Sequence, residues 1–373
     1  MIPVCEPTLT GREREYVEDC LATGWISSAG GYIERFEAAF AAWCGVEHCV
    51  CCCNGTAALH LALAAIGTGP GDEVIVPSFT MIATCNAVIY TGATPVLVDS
   101  EPGTWNVDCG RVAEAVSGKT RAIIVVHTYG HPADMDAVNG IARERGIAVI
   151  EDAAEAHGAE YRGRRCGGLG TMGAFSFYAN KIITTGEGGA VTTNDARLAE
   201  RARKLRNHCF GVPRFVHDEV GFNYRMTNVQ AAIGLAQLEN AERLVESRRR
   251  NAAAYNGLLA GARGVRTPPE APWVKNVYWM YGVLLDEDFP ATRDGLMEGL
   301  SERGIETRAF FHPMHLQPAY GAGLPNAPVA RGGLKVAEML GARGLYLPSS
   351  SHLTEEQIET VAAAVREIAE GKS

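Results

Sequence analysis

A lysine within the stretch AFSFYANKIITTGEGG, residues 174–189, is the residue best suited to covalent chemistry. Lys181 directly follows an apolar and aromatic run and precedes a polar, glycine-rich turn. A lysine in that place lies beside a crowded interior, where loss of water disfavours the charged amine. The neutral amine is the form that attacks a carbonyl carbon to make an imine. The alternative is an ordinary solvated lysine, and the neighbouring Ser176 and glycines favour the imine-forming role.

Two adjacent carboxylates, Glu151 and Asp152, end the apolar run AVIED. Charged groups at the end of a buried strand are costly unless they meet a cation or hydrogen-bond donors, so at least one of them is expected to serve a site. A carboxylate in this place could hold a protonated pyridine nitrogen. The alternative is structural, with the aspartate capping a helix and the glutamate in solvent.

The segment CNGTA, residues 53–57, reads as the end of a strand followed by the start of a helix. Free backbone N–H groups and the helix dipole make such a junction an anion site, and Gly55 lets a phosphate approach the backbone. The alternative is that Thr56 is only a helix N-cap.

A segment with two histidines, FHPMH at residues 311–315, follows much later in the chain. His312 and His315 could ligate a metal, but zinc needs further ligands and the sequence offers no third one nearby. For each histidine a loop position and a substrate contact both stay open.

These residues are expected to lie on an alternating α/β framework with a mostly parallel sheet covered on both faces. The predicted strands are 49–53, 73–77, 94–98, 122–127, 148–151, 174–177 and 189–193, and the predicted helices between them are 56–66, 82–90, 111–116 and 134–145. A long helical span follows at 228–259, and a stretch rich in Pro and Gly at 261–273 breaks it. Beyond it, 278–285 is predicted as a strand, and 293–303 and 355–369 as helices.

The chain is therefore predicted to have a large domain, residues 1–250, and a small C-terminal α/β domain, residues 251–373. Its net charge of −9 gives no basic surface for nucleic acid, and the arginine run 248–250 is interpreted as a solvated helix face. No apolar run has membrane-spanning length and no secretory pattern is visible, so a cytoplasmic location is expected.

The eleven cysteines are interpreted as small buried hydrophobes rather than a disulfide framework, because their number is odd. Four of them cluster at Cys49, Cys51, Cys52 and Cys53. Side chains of a strand alternate between its faces, and no second pair of metal ligands occurs elsewhere. The sequence therefore predicts no metal site.

Several motifs together resemble the DegT/DnrJ/StrS family of sugar aminotransferases. They are SFYANKIITTGEGG, EDAAEAHGA, NGTAALHLAL, GPGDEVIVPSFT and GFNYRMTNVQAAIGLAQL. The resemblance runs from TGWISSAG at Thr23 to Tyr346-Leu347-Pro348, and TTGEGG after the lysine is its most specific part. It implies the fold of type I aminotransferases that depend on pyridoxal 5'-phosphate, with the pyridoxamine form arising during the reaction.

The resemblance also implies roles for single residues around the cofactor. Lys181 would form the imine and move the proton, and Asp152 would pair with the pyridinium nitrogen. Phe79 would pack on the face of the ring. Glu155 would lie near the phenolic oxygen, at a position where relatives often have Gln.

The phosphate of the cofactor would be held at the start of the predicted helix. The resemblance implies that Gly55, Thr56, Ala57 and Ser176 hold it, and that Asn223 reaches the cofactor phosphate of a neighbouring subunit. A homodimer with shared active sites follows from this. The FHPMH segment resembles one that lines the sugar-nucleotide pocket in relatives.

Within the family the chain resembles the GDP-perosamine synthases, which implies transfer of an amino group from glutamate to GDP-4-keto-6-deoxymannose. Amination of a UDP- or dTDP-linked 4-keto sugar, or of a GDP-3-keto sugar, stays open. A branch that dehydrates the sugar carries histidine in place of Lys181. From other classes, a nicotinamide-binding protein lacks its G-x-G-x-x-G turn here, and a non-enzymatic regulator is disfavoured by Lys181, Asp152 and Ser176.

Overall fold

A central sheet organises the chain in this computed structural model, which describes residues 1–9, 11–321 and 323–371. The last two residues of the predicted small domain lie outside the described residues. The strands are β1 (His48–Cys52), β2 (Glu73–Pro77), β3 (Thr94–Val98), β4 (Thr120–Val126), β5 (Ala148–Asp152), β6 (Glu160–Tyr161), β7 (Arg164–Arg165), β8 (Met172–Ser176), β9 (Gly189–Thr193), β10 (Val265–Arg266), β11 (Val274–Lys275), β12 (Tyr281–Leu285), β13 (Arg308–Ala309), β14 (Val329–Ala330) and β15 (Gly344–Leu347).

The helices alternate with these strands in the first two thirds of the chain and flank a second sheet in the last third. They are α1 (Glu13–Thr23), α2 (Gly31–Cys44), α3 (Gly55–Ala65), α4 (Ile82–Tyr90), α5 (Cys109–Ala115), α6 (Met135–Arg145), α7 (Ala196–Arg206), α8 (Asn228–Glu239), α9 (Ala241–Leu259), α10 (Arg293–Glu302), α11 (Lys335–Arg343) and α12 (Glu355–Ala369). In the described ranges, no helix is both long and apolar enough to cross a membrane.

The large sheet has the strand order β1-β9-β8-β5-β4-β2-β3-β14. Neighbouring strands are parallel except where β9 pairs with β1 and β8. The prediction of a mostly parallel sheet is therefore confirmed. The parallel strands place their carboxyl ends at one edge, which is where α/β sheets bind ligands.

Helices bury both faces of the large sheet. Its strands have consecutive apolar residues, so apolar side chains point to both faces. Helices α2, α5, α6 and α8 cover one face, and α3, α4 and α7 cover the other. Cys49 and Cys51 belong to the first face, whereas Cys52 belongs to the second. The alternation expected of the cysteine cluster is thus observed. All eleven cysteines are free thiols, and burial raises the pKa of Cys51 far above its usual range.

The second sheet has the order β10-β12-β15-β13, is antiparallel, and packs on α9, α10 and α12. Its core includes Tyr255, Tyr281, Leu296 and Val361. A third, antiparallel sheet has three strands in the order β11-β6-β7.

Three features of the fold differ from the sequence prediction or go beyond it. The predicted span 228–259 is two helices, separated at Asn240. Strand β14 crosses back from the C-terminal third to pair with β3. Ile2 pairs with Ile305, so the first residues contact the C-terminal third. The boundary at residue 250 stays a prediction, and α9 runs through it.

The arginine run on α9 is not uniformly solvated, so that interpretation was wrong for one member. Arg248 is only 3% exposed. Its guanidinium donates to the carbonyl of Trp279, to Ser349 and Ser351, and to the thiol of Cys5. It therefore ties α9 to the strand region of the second sheet.

Glu151 is fully buried and anchors the loop before β8. Its carboxylate accepts hydrogen bonds from the N–H groups of Gly167, Leu169 and Gly170 at 2.7–2.8 Å. His127 Nε2 lies 3.1 Å from it. The side chain also forms a cluster with His127 and Cys166, but these donors occupy the carboxylate oxygens, so the cluster is a structural network.

Replacing Glu151 with Ala should destabilise the fold by about 3 kcal/mol or more, because buried N–H groups lose their acceptor. Urea unfolding of the two proteins measures the difference. The matched control is Glu359→Ala, an exposed position on α12 that should change stability by less than about 0.5 kcal/mol. Equal midpoints for the Glu151 variant and this control would show that the network carries no stability.

Candidate active site

A cavity of about 550 Å³ opens at the carboxyl edge of the large sheet. It lies where β5 and β8 end, beside the start of α3, and residues of the C-terminal third close its other side. Its polar lining consists of Asn54, Thr56, Thr80, Asp152, Glu155, Ser176, Asn180, Lys181 and Glu187, and its large apolar or aromatic lining of Met81, Tyr178, Trp279, Phe311 and Tyr346.

Lys181 enters this cavity from a closed loop that follows β8. The N–H of Phe177 donates to the carbonyl of Gly188 at 2.8 Å, which joins the two ends of the loop. The N–H of Thr185 returns to the carbonyl of Phe177 at 2.9 Å. A turn then forms as the Lys181 N–H donates to the carbonyl of Tyr178 at 2.9 Å. The loop therefore fixes the backbone from which the lysine extends.

The surroundings of the Lys181 amine act on its charge in opposite directions. Burial lowers the pKa of Lys181, while the nearby carboxylates of Glu155 and Asp152 act to raise it. The amine lies 3.6 Å from the centre of the Trp279 ring. The predicted desolvation of Lys181 is thus present, and the net direction favours the neutral, nucleophilic amine.

Asp152 ends β5 and reaches into the same cavity. Its Oδ2 accepts a hydrogen bond from Thr84 Oγ1 at 2.8 Å, and its Oδ1 accepts one from the N–H of Ala154 at 3.3 Å. Burial raises the pKa of Asp152. A cation placed against this carboxylate would relieve the cost of burying its charge.

Glu155 lies one turn further along and is almost fully buried. Its Oε2 accepts the N–H of Tyr129 at 2.7 Å. Burial raises the pKa of Glu155, the nearby Lys181 opposes the rise, and Asp152 adds to it. The carboxylate of Glu155 and the amine of Lys181 therefore favour each other's charged form.

The start of α3 forms a cradle against the end of β8. The helix cap is Asn54, whose Oδ1 accepts the N–H of Ala57 at 2.8 Å. Among the described residues, none accepts the N–H of Gly55 or Thr56. A Cβ on Gly55 would lie 2.6 Å from Ser176 Cβ, so only glycine fits there. The free donors and the Ser176 hydroxyl make an anion site.

This local geometry changes two details of the prediction at the helix start. Thr56 is not the N-cap, because Asn54 has that role. The N–H of Ala57 is already paired with Asn54, so Ala57 holds a phosphate only if that cap opens. Gly55 and Thr56 remain as the backbone donors that face the cavity.

Phe79 does not line the cavity, contrary to its predicted place on the cofactor face. Its ring is fully buried and packs against Tyr129, Phe310 and Phe311. Met81, two residues on, is 48% exposed and lines the cavity instead. The chain turns out of the sheet after β2, which moves the exposed position from Phe79 to Met81.

The two predicted substrate histidines also lie outside the cavity lining. His315 is held between Ser78 Oγ at 2.8 Å and Glu338 at 3.2 Å. His312 is exposed and bonds with the carbonyl of Leu316 at 3.2 Å. The FHPMH segment reaches the cavity through Phe311.

Asn223 is exposed and is not part of this chain's cavity. It pairs with Asn207 in an isolated bridge. Its predicted role at a neighbouring subunit therefore stays a prediction.

Two lining residues of the C-terminal third, Trp279 and Tyr346, were not predicted, and Phe311 was named only as part of the FHPMH segment. The only signal for Trp279 in the sequence is a cluster of aromatic residues at the start of a predicted strand, YWMY at 278–281. Such a cluster reads equally well as core, so it gives no indication of contact with a loop some hundred residues earlier.

The cavity fits pyridoxal phosphate in its donor set. The amine of Lys181 suits the aldehyde, the buried carboxylate of Asp152 suits a protonated ring nitrogen, and the cradle at Gly55 suits the phosphate. The cradle is specific in shape, because a Cβ on Gly55 would fill it.

The model of the DegT/DnrJ/EryC1/StrS aminotransferase family matches residues 7–366, and the chain belongs to this family. It is 50% identical over 369 residues to a GDP-perosamine synthase of Caulobacter vibrioides, with 98% of each chain covered. It is 44% identical to a GDP-perosamine synthase of Escherichia coli O157:H7, again with 98% of each covered.

Among solved structures, the chain is similar to S. venezuelae DesV in complex with a ketimine intermediate. The TM-score is 0.90 and the identity 41%, covering 96% of this chain and 94% of that one. The predicted family, the enzyme class and the aminotransferase fold are confirmed by these matches.

Replacing Gly55 with Ala should weaken binding of pyridoxal phosphate by about tenfold, because the added methyl group crowds Ser176 at the cradle. Titration of the cofactor-free protein, followed by fluorescence, gives the Kd. The control is Gly257→Ala on α9, where a Cβ meets no described atom within 4 Å. Equal affinities for both variants would remove the cradle from the cofactor site.

Proposed function

We propose that this protein transfers an amino group from glutamate to a nucleotide-linked 4-keto-6-deoxy sugar, most specifically GDP-4-keto-6-deoxymannose, to give GDP-perosamine. The cofactor is pyridoxal 5'-phosphate. The observation that carries the proposal is the meeting of Lys181, Asp152 and the Gly55 cradle in one cavity at the carboxyl edge of the sheet.

The sugar nucleotide is supported by the relatives that cover 98% of this chain and are named GDP-perosamine synthases. Both alignments, at 50% and 44% identity, cover 98% of this chain and so include the C-terminal third that closes the cavity. Glutamate as donor follows from the family resemblance of the sequence.

When bound, pyridoxal phosphate draws electrons from the carbon next to the amine and so makes a proton there removable. Lys181 supplies the base for that proton, since desolvation lowers its pKa and its amine extends into the cavity. One lysine serves both half-reactions by taking the proton from one carbon and returning it to another.

The other residues of the site orient and insulate this chemistry. Asp152 would hold a positive charge on the ring nitrogen, and its carboxylate accepts a hydrogen bond from Thr84 at 2.8 Å. Gly55, Thr56 and Ser176 would bind the phosphate. Trp279, Phe311 and Tyr346 exclude water from the amine, which strengthens every charge interaction inside.

We also propose a homodimer in which Asn223 faces the cavity of the neighbouring subunit. Large apolar side chains are exposed in the segment before it: Val212 at 99%, Phe215 at 73% and Val220 at 89%. Apolar surface of this kind is characteristic of a protein contact. A cytoplasmic location fits the eleven free thiols, since disulfides are rare there.

The visible absorbance of the purified protein tests the function directly. With pyridoxal phosphate bound, a band that depends on Lys181 should appear, glutamate should bleach it, and GDP-4-keto-6-deoxymannose should restore it. Lys181→Ala should lack the band, and Lys119→Ala, at an exposed lysine, should keep it.

The outcomes separate the parts of the proposal. Bleaching by glutamate that only a UDP- or dTDP-linked 4-keto sugar, or a GDP-3-keto sugar, reverses would keep the aminotransferase and overturn the proposed acceptor. A cofactor-loaded protein without a Lys181-dependent band would overturn the function itself.

A further inference from the structure

Trp279 contacts the catalytic lysine segment at two points. Lys181 Nζ lies 3.6 Å from the centre of its indole ring. The indole Nε1–H donates to the carbonyl of Asn180 at 2.8 Å. Because Asn180 directly precedes Lys181, the same side chain holds both the backbone and the tip of the lysine.

Trp279 is itself held rigidly, so these contacts are not those of a mobile ring. It is 3% exposed. Its carbonyl accepts Arg248 Nη1 at 3.0 Å, and its ring stacks on Tyr129 at 6.3 Å between centroids. The backbone nitrogen of Trp279 packs closely against Gly130, since a Cβ built on Gly130 would lie only 3.0 Å from it. Gly130 has a φ of +97°. Both large parts of the fold therefore fix the indole.

Arg248 and Cys5 extend the same network to the backbone of Asn180. The buried Arg248 donates through Nη2 to Cys5 Sγ at 3.4 Å. Cys5 Sγ in turn donates to the Asn180 carbonyl at 3.4 Å. That carbonyl thus has two donors, and the indole N–H is the shorter contact.

An indole face under an amine has a defined electrostatic effect. The ring attracts the ammonium form and gives little to the neutral form, and the attraction grows when water is excluded. It also gives the amine a preferred position, beside the carboxylates of Asp152 and Glu155.

We propose that Trp279 is a positioning residue for Lys181. Its ring holds the amine close to the reacting atoms whenever the amine is not covalently engaged, and its N–H fixes the backbone that carries the amine. The inference rests on the proposed function, since it assigns a role within that site.

The remaining groups that face Lys181 come from several elements. They are Asp152 at the end of β5, Glu155 and His157 after it, and Cys5 from the N-terminal segment. His157 is fully buried, and burial lowers its pKa to about 3, so it is uncharged near neutral pH. All four stay in place when Trp279 alone is changed, so the change isolates the indole.

The first test uses the cofactor-free protein and needs no substrate. The emission of Trp279 is obtained as the difference between the protein and its Trp279→Phe variant, and is followed against pH. The same difference is then measured between Lys181→Met and the double variant that carries both Lys181→Met and Trp279→Phe. The proposal predicts that the emission of Trp279 changes with pH when Lys181 is present and does not when it is methionine. An unchanged titration in the Lys181→Met pair would overturn the contact.

The second test measures steady-state kinetics with the acceptor sugar that restores the absorbance. Trp279→Leu should lower kcat by about 100-fold and Trp279→Phe by about tenfold, with each KM within about threefold, because the reacting amine is misplaced while the substrates still bind. The matched control is Trp43→Phe, which removes an indole N–H that donates to Glu242 at 2.8 Å far from the cavity.

The pH profile distinguishes positioning from a purely structural role. Since the ring favours the ammonium, its loss should lower the pKa of Lys181 and move the acid limb of kcat in Trp279→Leu down by about one pH unit. Urea unfolding confirms that each variant is folded. A kcat equal to that of the Trp43 variant, or a loss of kcat with an unmoved limb, would overturn the proposal. The fluorescence test uses no sugar, so its result does not depend on which sugar is the acceptor. The role of Trp279 and the proposed function can therefore be overturned separately.

Discussion

One amine and two buried carboxylates share a single cavity, and the rest of the structure serves that arrangement. An isolated charge in such a place is strongly disfavoured, whereas charges that can offset one another are tolerated. Lys181 faces Asp152 and Glu155, and each carboxylate also accepts a hydrogen bond from a fixed donor. Burial lowers the pKa of Lys181 despite the two carboxylates, which shifts the lysine toward the neutral amine that acts as a base.

The order of the strands brings these groups together. Because β5 and β8 are parallel neighbours, Asp152 and Ser176 leave the sheet at the same edge. Strand β9 then runs antiparallel beside β8, so the loop that carries Lys181 must close over that edge. The second sheet adds the aromatic wall. A single edge of the sheet thus carries Lys181, the carboxylates that face it and the start of α3.

The sequence predicted much of this framework because its signals are local. Strands 73–77, 94–98 and 189–193 and helix 355–369 have the predicted bounds, since apolar runs and helical periodicity are properties of neighbouring residues. Lys181, Asp152, Ser176 and Gly55 line one cavity, and their roles at a cofactor stay predictions. These residues stand at strand ends or helix starts, whose place in a parallel sheet follows from the chain order.

The features that the sequence did not reveal depend on contacts between distant segments. Strand β14 has two residues and carries no periodicity. Arg248 looks like its solvated neighbours until the carbonyl groups that bury it are known. Met81 rather than Phe79 lines the cavity because of how the chain turns after β2. The sequence alone indicates a core position for Trp279, and its hydrogen bond to Asn180 is evident only in the structure.

Borohydride reduction of the cofactor-loaded protein, followed by peptide mass spectrometry, tests the central claim most directly. The account predicts a pyridoxyl group on the peptide that contains Lys181 and on no other lysine peptide. A label on a different lysine, or a protein that binds the cofactor and gains no label, would contradict it.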